Sequence, residues 1–97
     1  MNEKKIVTLD LTNCKYLGEL HQRIKQAFEF PDFYGENWSA FWDMLWSECD
    51  ADKVEIIGEY TLSKEFDPYI RKMHEILQRN REEHIKHQHD FSFEIKS

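Results

Sequence analysis

Apolar and polar positions alternate from Lys5 to Leu11, with Val7, Leu9 and Leu11 on one side and β-branched Ile6, Val7 and Thr8 in the run. That pattern predicts a first strand, ended by Thr12-Asn13. From about Tyr16 to Phe28 the period changes. Leu17, Leu20, Ile24, Ala27 and Phe28 recur at threes and fours, with Glu19, Gln22, Arg23 and Gln26 largely outside the stripe, so an amphipathic helix is expected there, closed before Pro31. A second helix is expected from Trp38 to about Ser47, with Asn37 as its N-cap and Gly35 supplying a positive φ in the turn before it. Lys53-Val54-Glu55-Ile56-Ile57-Gly58 reads as the second strand. Asp67-Pro68 reads as the start of a third helix, an N-cap acid followed by proline, running to about His84 with Ile70, Met73 and Leu77 inward. Phe91, Phe93 and Ile95 alternate as a terminal strand. Strands separated by helices favour an α/β fold, a small three-stranded parallel sheet with packed helices. The spacing leaves the strand order open.

Composition narrows this further. The 97 residues are 40% hydrophobic and 33% charged, with three Gly and two Pro. Such a chain suits one domain over residues 1–97 rather than two, and neither a disordered tail nor a loop-dominated scaffold. No apolar run approaches the ~20 residues that span a bilayer, and Met1-Asn2-Glu3-Lys4-Lys5 is not the start of a secretory signal. A cytoplasmic protein that binds no membrane is the expectation. Cys14 and Cys49 are too few to staple a small fold and are read as reduced thiols.

The net charge of -6 is concentrated in the middle of the chain, where residues 29–60 hold nine acids against Lys53 alone. Such a field attracts a basic partner and repels nucleic acid, although a solvated surface kept for solubility would look the same by charge count. The same segment is crowded with rings: Phe30, Phe33, Tyr34, Trp38, Phe41, Trp42 and Trp46. At about 100° per residue the second helix has two aromatic faces. Trp38, Phe41 and Leu45 form one and suit the core. Ser39, Trp42, Asp43 and Trp46 form the other and are expected to look outward. Rigid aromatics beside a carboxylate have the makings of a recognition surface for a cationic partner. In the plainer alternative Trp42 only widens the buried stripe, and Asp43 is an ordinary solvated acid.

The stretch Pro31-Asp32-Phe33-Tyr34-Gly35-Glu36-Asn37-Trp38-Ser39-Ala40-Phe41-Trp42-Asp43-Met44-Leu45, preceded by Leu20-His21-Gln22, resembles the barstar-like family of intracellular inhibitors of barnase-type bacterial ribonucleases. Close matching covers roughly residues 17–47; elsewhere only the order of elements agrees. The resemblance implies a barstar-like α/β fold and an inhibitor rather than an enzyme. The partner it implies is a ribonuclease, bound one to one, with a secreted or cell-delivered toxin and an immunity role among the forms this could take. It places Asp43 where the family's acid replaces an RNA phosphate, and Phe33, Tyr34, Gly35, Asn37, Ser39, Trp42 and Trp46 around it. Phe33 stands in place of a tyrosine. Ser39 stands where the best-known member has a second interface aspartate, and Trp46 where it has a threonine. Those changes imply a ribonuclease that differs from barnase at the contacted positions. A further acid near the end of the long helix is assigned to Glu83, with Glu82 beside it. Another partner, a different toxin or a basic regulatory protein, remains an alternative on the same fold.

Other groupings carry less. His84, His87 and His89 could ligate a transition metal only if their segment were irregular, and at a helix C-terminus they also suit the negative end of the dipole. His74-Glu75 lacks the second histidine of a zinc-protease motif, since Gln78 stands four residues after His74. No Gly-rich phosphate loop or serine nucleophile elbow is present. The expectation is no catalytic residue, no metal, no cofactor, and a monomer when free.

Overall fold

The computed structural model describes residues 5–47, 51–88 and 90–96. Its order is β1 (Ile6–Asp10), α1 (Leu17–Phe28), α2 (Trp38–Ser47), β2 (Lys53–Ile57), α3 (Asp67–Lys86) and β3 (Ser92–Lys96). The strands form one parallel sheet in the order β1-β2-β3, with Val7 opposite Val54 and Val54 opposite Phe93. Parallel neighbours need long crossovers, and those here are helical, so the expected α/β class holds.

The sheet is two-faced. Val7, Leu9, Val54 and Ile56 are buried, Leu9, Val54 and Ile56 completely, beneath the helices. The alternate residues form a solvated face laced with charge. Lys53 pairs with Glu55 at 3.6 Å and with Glu94 at 3.2 Å, and Lys96 pairs with Glu55 at 3.0 Å. Glu55 and Glu94 sit directly opposite each other in the ladder, and the two lysines offset that like-charge contact. The Lys96 ammonium holds the Glu55 carboxyl below its ordinary range, and Lys96 is raised in return. On the covered side burial fades towards the edge: Phe91 is buried, Phe93 half-buried and Ile95 exposed.

Helix α1 buries Leu20, His21, Ile24 and Phe28 and packs on β1. Its end is a Schellman closure. Glu29 takes the left-handed conformation (φ 57°), its N–H reaches Gln26 O at 3.3 Å, and the Phe30 N–H reaches Lys25 O at 3.0 Å. The turn brings Phe30 back onto Phe28, ring on ring at 5.1 Å. Gly58 (φ 82°) closes β2 where the β1–α1 loop crosses, and a side-chain carbon there would meet the Thr12 backbone nitrogen at 2.4 Å, so only glycine fits.

Helix α3 begins differently from the expectation. Lys64–Phe66 form a 3₁₀ turn that runs into the helix, which places Phe66 at the cap position and Asp67 already inside the first turn. No side chain caps this end, and Pro68 occupies the first turn as anticipated. The helix continues to Lys86 and buries Ile70, Met73, Ile76, Leu77 and Asn80. Asn80 is fully buried, and among the described residues neither end of its amide is hydrogen-bonded. Cys14 is a buried free thiol, and burial pushes it up from its ordinary range. Cys49, Glu48, Asp50 and His89 lie outside the described residues.

Candidate functional site

Residues 29–37 link α1 to α2 and are tied at both ends. Beyond the Schellman closure, the Tyr34 N–H donates to Pro31 O at 2.9 Å. At the α2 end Asn37 caps the helix as its sequence suggests, its Oδ1 accepting the Ala40 N–H at 2.8 Å while its Nδ2 donates to Gly35 O at 3.1 Å. The positive φ in this turn belongs to Glu36 (53°) and not to Gly35. The room at Gly35 is short for another reason: a Cβ there would lie 3.2 Å from Asn37 Nδ2 and 3.4 Å from Ala40 Cβ, so the glycine lets the capping amide fold back over it. Phe33 projects from this loop, 71% exposed.

Phe41 and Leu45 fix the inner face of α2, both fully buried. The outer face carries Ser39, Asp43 and Trp46, all exposed, with Trp42 half-buried at its edge. The Trp42 and Trp46 rings lie nearly parallel at 6.5 Å, and Trp46 also meets the rings of His84 at 5.6 Å and His87 at 5.8 Å. Between α2 and α3 runs a concavity of about 280 Å³, walled by Trp38, Ser39, Trp42 and Asp43 on one side and Lys72, Ile76 and Arg79 on the other. The Arg79 guanidinium sits over the Trp42 ring, 5.5 Å from its centroid. Among the described residues Asp43 has no ion pair and no side-chain hydrogen bond. What this arrangement offers is a free carboxylate in an aromatic frame, suited to gripping a cation that an incoming surface supplies.

A family model described as "Barstar (barnase inhibitor)" matches residues 4–96. The chain belongs to the barstar family. A Bacillus subtilis (strain 168) protein named "Putative ribonuclease inhibitor YrdF" is 30% identical over 81 residues, which cover 82% of this chain and 88% of that protein. The three-stranded parallel sheet and three helices agree with a barstar-like α/β fold, and membership supports a ribonuclease-inhibitor role that is not catalytic.

Tyr34 and Glu83 of the barstar-like set lie outside the concavity. Tyr34 is 4% exposed, and its hydroxyl is 2.9 Å from Nδ1 of the buried His21, whose ring packs on Trp38 at 4.7 Å. It supports the loop from beneath, with almost none of its surface exposed. Burial pushes the Tyr34 phenol far up and holds the His21 imidazole down. Glu83 pairs with Lys86 at 3.4 Å and is not part of the concavity. The α3 side chains that do face Asp43 across it are basic, Lys72 and Arg79, and sequence reasoning did not single them out. Their signal was the phase of α3: Arg79 lies three residues from buried Ile76, on the stripe's flank, but which flank meets α2 is decided by tertiary packing. The rings of His84 and His87 rest on Trp46, and among the described residues no group of three possible metal ligands occurs.

Proposed function

We propose that the chain inhibits a ribonuclease by covering its active site with the 29–37 loop and the outer face of α2, Asp43 standing in for a phosphate of the RNA. One observation carries this reading. Asp43 is an exposed carboxylate with no partner among the described residues, framed by Ser39, Trp42 and Trp46 on a helix whose opposite face is locked in the core. A ribonuclease site lined with cations that hold phosphates is its electrostatic complement. Phe33, Gly35 and Asn37 extend the contact along the loop, Phe33 by its exposed ring and the other two by setting the loop's shape.

The complex in this reading is one to one, the free chain is a monomer, and the inhibitor acts in the cytoplasm to protect its producer, as an immunity protein does against a toxin. Among the described residues no helix is long and apolar enough to cross a membrane. The test is titration of RNA cleavage by purified microbial ribonucleases, barnase among them. Loss of activity at one equivalent of inhibitor, restored when Asp43 is replaced by Ala, is the expected result. Capture of a tight partner without RNA-cleaving activity, and inhibition of no ribonuclease, would transfer the same face to a different toxin or a basic regulatory protein.

A further inference from the structure

Arg79 is a cation held in position with its hydrogen-bonding capacity unused. The cation–π contact with Trp42 fixes where its charge sits, and among the described residues none of its N–H donors meets an acceptor. The neighbouring acids of α3 are engaged elsewhere: Glu75 with Lys72 at 3.9 Å, Glu82 with Gln78 at 3.4 Å and Glu83 with Lys86 at 3.4 Å. Asp43 lines the same concavity, equally unpaired, and the two do not pair with each other. Ser39 adds no charge. The groove is therefore bipolar, with a free anion on the α2 wall and a free guanidinium on the α3 wall.

A surface complementary to such a groove carries a cation and an anion side by side. An active site made only of cations would meet Asp43 well and be repelled by Arg79. Cleavage of RNA through its own 2′-hydroxyl needs a base to take that proton, placed next to the cations that hold the phosphate. Where that base is a carboxylate, the site has the required pair of charges. We propose that Arg79 engages the carboxylate a ribonuclease uses as its general base, so that this inhibitor selects ribonucleases with a carboxylate base over those with an imidazole base. The inference rests on the ribonuclease reading above. The planar fork of a guanidinium grips a carboxylate through two parallel hydrogen bonds, which a lysine there would not reproduce.

The experiment measures inhibition by the wild-type chain, Arg79→Gln and Arg79→Glu against purified ribonucleases of both base types. Arg79 is exposed, so the variants keep the fold, which circular dichroism checks. Arg79→Gln should weaken inhibition of a carboxylate-base enzyme by roughly 10- to 100-fold, and Arg79→Glu by more. Binding to the same enzyme with its base amidated, Glu→Gln, is then followed by tryptophan fluorescence, and there wild type and Arg79→Gln should bind alike. A loss that persists against the amidated enzyme would assign Arg79 to support of Trp42 and overturn the proposal. Equal or tighter inhibition by the variants would also overturn it while leaving the ribonuclease reading in place. If wild type inhibits no ribonuclease of the panel, both fall together.

Discussion

Two solvated surfaces of this molecule are rich in charge, and they treat it in opposite ways. On the open face of the sheet Lys53, Glu55, Glu94 and Lys96 form a closed set in which each charge has a partner on a neighbouring strand. In the groove between α2 and α3, Asp43 and Arg79 line one concavity and neither has an ion pair among the described residues. The sheet's charges satisfy one another; in the proposed reading the groove's charges are met by the ribonuclease. Charge counts along the chain do not separate these roles, because the acidic middle third contributes both Glu55 to the closed set and Asp43 to the open one.

This contrast can be broken most severely from below. Phe41 is fully buried beneath the groove, so Phe41→Ala should lower unfolding free energy by about 3–5 kcal/mol in a urea melt. Any loss of inhibition by that variant should follow the unfolded fraction. Asp43→Ala should do the reverse, weakening inhibition by about 2 kcal/mol or more, the scale of an interface hot spot. Its stability should stay within about 0.5 kcal/mol of wild type. A variant that loses both together would show that Asp43 is structural and erase the distinction.

Asn80 gives the opposite sign. Among the described residues its buried amide has no partner, and Asn80→Leu should raise stability by about 1 kcal/mol, since removing an unsatisfied buried polar group outweighs the strain of fitting leucine's same branched but bulkier side chain. A lower melting temperature would mean that the amide has a role the static arrangement does not reveal.

His21, beneath the loop, supplies a pH dependence. Burial lowers its pKa in the folded state, only partly offset by the charge of Glu36, and Tyr34 is its hydrogen-bonding neighbour. Its contribution to stability is therefore full above about pH 6.5, the unfolded value, and is lost as pH falls from there towards the folded pKa. Denaturation at pH 7.5 and 5.5 should show a smaller loss on acidification for His21→Gln than for wild type. The smallest effect belongs to the sheet. Lys96→Ala should leave inhibition unchanged and alter stability near the limit of detection, because an exposed pair adds little. A clear loss of inhibition there would extend the recognition surface to the open face.

Much of the fold was legible because local signals agreed. The Asn37 cap and the double aromatic face of residues 38–47 define α2 within the range observed, and alternation placed Val7, Leu9 and Leu11 inward, as found. What sequence could not supply depended on segments meeting in space. Tyr34, in the loop between the helices, is buried against His21, 13 residues earlier on α1, whose Nδ1 is hydrogen-bonded to its hydroxyl. Asp67 gave up the capping position because a 3₁₀ turn leads the chain directly into α3. Arg79 enters the groove only once α3 has settled against α2, and no spacing within α3 alone identifies that flank.

The loop from Glu29 to Asn37 is anchored by a helix closure at one end and a helix cap at the other, with Tyr34 pinned to His21 between them. A loop secured at three points, if it is the recognition element proposed above, has few alternative shapes to give up on docking, so its ordering entropy was spent when the chain folded. Association should therefore be governed by the frequency of well-oriented collisions and not by a slow rearrangement of the inhibitor. Mutations that loosen those anchors should lengthen the search for the bound shape before they shorten the lifetime of the complex.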